Sequence, residues 1–217
     1  SVSEASLLRH ELGLPNTGFI FCCFNNNYKI TPTTFTGWMR ILEAVENSVL
    51  WLLGNNNNTT KNLKKEAMKF GINEDRLIFA KRMPIEEHLN RIKQADLFID
   101  TLPCNAHTTT SDALRMGLPV LTCIGNSFAS RVAASLLNAV NLPELITTNQ
   151  EQYETLAIEL ATDPEKLKII KDKLASNLST APLYDTKLFT KNLESAYTMM
   201  YDRYHQGLDP DHIYVKH

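Results

Sequence analysis

Up to Thr122, short runs of apolar residues alternate with longer amphipathic stretches. The runs are Phe19–Phe24, Val49–Leu53, Leu77–Phe79, Leu97–Ile99 and Val120–Thr122. They are apolar throughout rather than alternating, the pattern of strands covered on both faces in a parallel sheet. Between them, helices are predicted from about Pro32 to Val45, with Thr31 as N-cap and Pro32 in the first turn, from Thr60 to Phe70 with Gly71 as its stop, and from Pro84 to Ala95. Another opens in the hydroxyl-rich stretch at His107–Asp112 and ends at Gly117, with Pro119 beyond. The order β-α-β-α-β predicts an α/β fold with a doubly wound parallel sheet and right-handed crossovers. After about Phe128 the pattern turns helical and stays so, with breaks at Asp163-Pro164 and at Ser179–Pro182. The last helix, near Thr186–His205, carries Phe189, Leu193, Tyr197, Tyr201 and Tyr204 close to one face. Asn55–Asn58 reads as a polar loop tip.

Composition narrows the function. With 217 residues, 43% of them hydrophobic, the chain can bury a core of its own. A formal charge of -2 supplies no basic field to draw in nucleic acid. Cys22, Cys23, Cys104 and Cys123 form no C-x-x-C pair, which argues against a disulfide framework or a zinc site and fits a reducing, cytoplasmic setting. No apolar run approaches the roughly 20 residues of a membrane span.

In an open parallel sheet, ligands lie beyond the carboxyl ends of the strands. Three loops there carry unusual residues. Asn25-Asn26-Asn27-Tyr28-Lys29 directly follows the first strand, and Lys29 is either a charge placed to neutralise a diphosphate or one of many solvated lysines. His107-Thr108-Thr109-Thr110-Ser111-Asp112 begins a helix, where unpaired N–H groups and the helix dipole attract anions. An ordinary capping box, Thr109 to Asp112, would explain one threonine and the carboxylate. It leaves His107 and the other hydroxyls unexplained. Asp112, one turn from Thr108, would repel phosphate but suits ribose hydroxyls, which donate to it. His88, in Glu86-Glu87-His88, could stack on a base, although its spacing favours a surface residue. Asp209-Pro210-Asp211 matches a D-x-D pattern but follows a helix, so it reads as a turn. No G-x-G-x-x-G, G-x-S-x-G or G-x-x-x-x-G-K-[ST] motif is present.

The segments Phe24–Pro32, Ser48–Leu53, Pro84–His88, Cys104–Leu114, Ala129–Ser135 and Pro210–His212 together resemble, in order and over nearly the whole chain, the C-terminal half of the catalytic region of bacterial-type protein O-GlcNAc transferases. The resemblance implies a GT-B glycosyltransferase, in which residues 1–217 form the Rossmann-like C-terminal lobe that holds the donor sugar nucleotide, with a helical segment at about 150–206. Lys29 would sit on the donor diphosphate as the catalytic cation, and Thr108 and Thr109 on the phosphates. His107 would lie beside phosphate and sugar, and Asn26 near them, where animal enzymes carry Gln. His88 would lie against uracil, with Met83 and Arg91 near the base through their backbone, and Asp112 on the ribose. Ile85 stands where a lysine otherwise reaches the ribose.

The implied reaction transfers N-acetylglucosamine from UDP-GlcNAc to Ser or Thr of an acceptor protein, without metal or cofactor. Its partners would be a preceding lobe and helical repeats; no nucleic acid or membrane is expected. Without that lobe, the chain is expected to bind nucleotide weakly and to transfer nothing. Two alternatives stand beside this reading: a related transferase using GDP-fucose or UDP-glucose, and a non-catalytic nucleotide- or protein-binding module that pairs through the aromatic face of its last helix.

Overall fold

The computed structural model describes residues 7–54 and 56–215. Six strands form one wholly parallel sheet: β1 (Phe19–Cys23), β2 (Ser48–Leu53), β3 (Leu77–Ala80), β4 (Leu97–Ile99), β5 (Val120–Cys123) and β6 (Ile146–Thr147). Their spatial order is β3-β2-β1-β4-β5-β6. The chain therefore works outward from β1 to one edge, then returns to lay β4 against the other side of β1. That reversal opens a crevice at the carboxyl ends of β1 and β4, where doubly wound folds bind their ligands.

The continuous apolar runs are buried on both faces. Ile20, Phe21, Cys22, Leu50, Trp51, Leu52, Leu97, Phe98 and Leu121 are each at most 1% exposed. Around the sheet lie α1 (Pro32–Ala44), α2 (Asn57–Lys69), α3 (Ile85–Ile92), α4 (Thr108–Arg115), α5 (Val132–Ala139), α6 (Gln150–Thr162), α7 (Pro164–Leu178) and α8 (Thr186–His205). The helix signals hold at several ends. Thr31 caps α1 by accepting from the Thr34 amide at 3.2 Å, with Pro32 in the first turn. Gly117 follows α4 at φ +79°, and the Leu118 amide reaches back to the Ala113 carbonyl at 2.9 Å, closing the helix as a left-handed cap does. Asp163 caps α7 at the predicted break.

Three expectations are corrected. The stretch after Phe128 is not wholly helical: Ile146 and Thr147 pair with Thr122 and Cys123 as β6. Two residues are too few to carry a hydrophobic period, and partners distant in sequence define this strand. Asn56–Asn58 is not a loop tip. Asn56 accepts from the Thr59 amide at 2.8 Å and caps α2, which starts three residues before the predicted Thr60; Asn55 lies outside the described residues. Helix α3 ends at Ile92, short of Ala95.

The first turn of α6 reaches back across the fold. Tyr153, 3% exposed, accepts a hydrogen bond from Trp38 Nε1 at 3.1 Å and donates one to the Asp100 carbonyl at 2.9 Å. By contrast, α8 buries none of its residues; Phe189, Tyr197, Tyr201 and Tyr204 are all exposed. Among the described residues no helix is long and apolar enough to cross a membrane.

Candidate functional site

The crevice is built around one buried carboxylate. Asp100 directly follows β4 and is 3% exposed. Its Oδ1 accepts from the amides of Thr101 and Ala106, both at 2.7 Å, and from Asn25 Nδ2 at 3.1 Å; Oδ2 accepts from Thr122 Oγ1 at 2.7 Å. Burial pushes the carboxyl up to about 6, against the downward pull of these donors. Asp100 thus ties the loop after β1 to the loop after β4 and to strand β5.

Asn25, directly after β1 and Phe24, transmits that order. Its Nδ2 is committed to Asp100 and to Thr101 Oγ1 at 2.8 Å, so its oxygen faces the other way and accepts from Thr109 Oγ1 at 2.7 Å. The proton of the Thr109 hydroxyl is spent on Asn25, so in this arrangement the hydroxyl presents only lone pairs elsewhere. What Thr109 can offer an anion is its backbone N–H. The first-turn amides of α4, those of Thr108, Thr109 and Thr110, have no intrahelical acceptors, and the N-cap residue His107 gives no side-chain cap. The capping box read from Thr109 to Asp112 is absent, because the helix begins at Thr108, with His107 rather than Thr109 in the N-cap position. Those amides remain available to an anion.

Lys29 closes the same crevice. Carried on a short 3-10 turn, Asn27–Lys29, it donates from Nζ to the Asn105 carbonyl at 2.7 Å. Asn105 lies three residues before Thr108, so the ammonium group and the helix start share one rim. Beside them, both amide atoms of Asn27 and Oδ1 of Asn105 are buried with no protein partner. Asn26 is exposed, as is Thr108, while His107 is half-buried, with its Nε2 3.4 Å from the Ala129 carbonyl and its ring 6.1 Å from Phe128. Asp112 is half-buried on α4, and burial raises its carboxyl above the usual range.

A second cluster stands on α3. His88 is half-buried, not the surface residue its spacing favours. Its ring lies 5.3 Å from Phe24. Arg91, only 1% exposed, donates Nε and Nη2 to His88 Nδ1 at 3.0 and 2.7 Å, donates Nη1 to the Lys81 carbonyl, and lies over the rings of Phe24 and Trp51 at 5.0 and 5.9 Å. Burial, reinforced by the Arg91 charge, lowers His88 to about 4; burial lowers Arg91 to about 10. Met83, half-buried, and Arg91 border a cavity of about 310 Å³ against Trp51 and the turn at Glu11–Gly13. Ile85 is exposed. Phe24, one residue before Asn25, joins the two clusters.

Sequence reasoning missed Asp100, Thr101 and Asn105 and gave Asn25 no role. A carboxylate directly after an apolar buried strand was the available signal, since such a group must be satisfied from the loops around it. All four cysteines are free, and among the described residues no three His, Cys, Asp or Glu side chains gather as a metal site.

A family model for glycosyl transferase family 41 matches residues 4–193. The chain belongs to this family. It is 36% identical over 205 residues to the UDP-N-acetylglucosamine–peptide N-acetylglucosaminyltransferase of Caenorhabditis elegans, covering 94% of the chain and 18% of that relative. It is 38% identical over 208 residues to the probable UDP-N-acetylglucosamine–peptide N-acetylglucosaminyltransferase SEC of Arabidopsis thaliana, covering 95% and 21% respectively. Among solved structures, a K341M mutant of the Thermobaculum terrenum O-GlcNAc transferase superposes with a TM-score of 0.81 at 32% identity, over 85% of this chain and 36% of that one. This family 41 chain therefore spans about a fifth of the length of those two curated relatives.

Proposed function

We propose that this family 41 chain is the donor-binding lobe of a glycosyltransferase that moves N-acetylglucosamine from UDP-GlcNAc to Ser or Thr hydroxyls of proteins. The observation that carries this reading is the shared rim: the Lys29 ammonium group, through Asn105, and the uncapped amides of α4 converge at the switch point between β1 and β4. The diphosphate would lie between Lys29 and the amides of Thr108 and Thr109, with His107 and Asn26 beside phosphate and sugar. Asp112 would take the ribose, and His88 the uracil, with Met83 and the Arg91 backbone alongside.

Breaking the sugar–phosphate bond leaves negative charge on the departing diphosphate. Donors fixed in advance where that charge develops stabilise the transition state more than the ground state. Lys29 is such a donor, and the α4 amides are held in place by the Asp100–Asn25–Thr109 chain of hydrogen bonds. The acceptor protein and a second lobe would meet the donor at this carboxyl edge, and the lobe alone would bind nucleotide without transferring sugar.

Titration calorimetry of the chain with UDP, UDP-GlcNAc and GDP tests the reading. UDP and UDP-GlcNAc are expected to bind in preference to GDP, and Lys29→Ala and Thr109→Pro, which removes an α4 amide, are each expected to weaken them. A preference for GDP, or unchanged affinity in both variants, overturns the assignment.

A further inference from the structure

Arg91 is the most deeply buried arginine of the fold, and among the described residues no carboxylate pairs with it. Its five N–H groups are donors only, so whatever they touch must accept. Two of them converge on one atom, Nδ1 of His88, and a third goes to the Lys81 carbonyl. A histidine nitrogen that accepts from an arginine carries no proton. In a neutral ring the proton is then on Nε2.

We infer that Arg91 is a positioning residue that holds His88 as the neutral tautomer protonated on Nε2, so that the ring meets its ligand with one fixed charge and one fixed donor. Protonation of Nδ1 would point an N–H at two N–H groups of a cation that has nowhere to go: its face is packed on Phe24 and Trp51, and its side chain is sealed from solvent. Other charged groups stand on the elements around the ring: Lys81 and Arg82 before α3, Glu86 and Glu87 on α3, Glu11 across the cavity, and Asp112 and Arg115 on α4, which packs against α3. The charge that bears on the imidazole is Arg91, and together with burial it keeps the ring neutral down to about pH 4.

The consequence for ligand choice rests on the placement of the base at His88. A neutral ring that contributes a single N–H donor and an apolar face, above a fixed cation, suits an uncharged base edge carrying carbonyl oxygen, as a pyrimidine dione does. An imidazole free to titrate would change both its charge and its donor count across the neutral range.

Long-range ¹H–¹⁵N spectra of the whole labelled chain, recorded from pH 5 to pH 8, read the ring directly. The expected result is an unprotonated Nδ1 and a protonated Nε2 for His88, with no titration in that range. In Arg91→Met, which keeps an apolar stem and removes the donors, the His88 midpoint is expected to rise by at least one pH unit. A His88 that titrates near 6.5 in the unaltered chain, or carries its proton on Nδ1, overturns the inference even if Arg91→Met does not fold. His88→Ala is expected to weaken the affinity of the chain for UDP-GlcNAc. A locked ring together with unchanged affinity in His88→Ala sustains the inference about Arg91 and overturns the placement of the base.

Discussion

Replacing Asp100 by asparagine and by alanine separates the two things this carboxylate does. Its oxygens receive four donors, two of them backbone amides. Alanine leaves all four in a buried site. An orphaned buried donor costs about 1–3 kcal/mol, so the sum is on the order of 4–12 kcal/mol, comparable with the whole stability of a domain. Asparagine keeps an oxygen for Thr101, Ala106 and Asn25, and the Thr122 hydroxyl can turn to accept from the new amide nitrogen. The rise of the carboxyl from the ordinary 3.8 to about 6 is already the balance of burial against those four donors, about 2 pH units, or about 3 kcal/mol at pH 7. Asparagine brings no charge into the interior, so Asp100→Asn is expected to match the unaltered chain at pH 7 or to exceed it by up to about 3 kcal/mol, while Asp100→Ala does not fold.

The pH dependence has a definite sign. Between pH 3.8 and 6 the folded chain holds more protons at Asp100 than the unfolded one, so stability falls as pH rises through that window. Urea unfolding of both proteins at pH 4, 5, 6 and 7 measures it. The unaltered chain should lose about 2 kcal/mol relative to Asp100→Asn from pH 4 to pH 7, since part of the window lies below pH 4. A difference that stays constant over this range, or an Asp100→Asn variant as damaged as Asp100→Ala, refutes the reasoning.

Three further substitutions probe the remaining links. Lys29→Ala should lower UDP affinity roughly 10- to 100-fold by calorimetry, the value of one charge-assisted contact, with the same urea midpoint to within about 1 kcal/mol of stability. Tyr153→Phe strands Trp38 Nε1 and the Asp100 carbonyl in the core, and should cost about 2 kcal/mol in urea unfolding and weaken nucleotide binding as the pocket floor loosens. Arg76 donates to the carbonyls of Leu42, Val45 and Ser48 at 2.6, 2.8 and 2.8 Å, closing the end of α1; Arg76→Met should cost about 2 kcal/mol and leave UDP affinity unchanged, which distinguishes it from Tyr153→Phe.

The parts of this fold legible in the sequence are those whose signals are local. Five strands are continuous apolar runs, and Thr31, Pro32, Gly117 and Asp163 are end markers that act within a few residues of themselves. The hydroxyls at Thr108 and Thr109 and the charge at Lys29 could be noticed for the same reason. Illegible were features defined by partners far along the chain. β6 exists because β5 pairs with it. Asn25 has its orientation from Asp100 and Thr101, and Asp100 could not be recognised as a hub until β1, β4 and β5 were side by side. His88 looked like a surface residue because the arginine that buries it stands one turn further on, and nothing in the spacing says which way that side chain turns.

The hydrogen bonds from Tyr153 impose an order of events during synthesis. The helix start that faces the crevice is made from residues near 108, yet the carbonyl of Asp100 and the indole of Trp38 stay without their shared partner until α6 has left the ribosome. A nascent chain released before residue 153 would carry every loop of the crevice and lack its keystone. The last strand and the first turn of α6 are therefore what convert a set of tethered loops into a pocket, and chaperone dependence should be greatest for chains that stop just short of them.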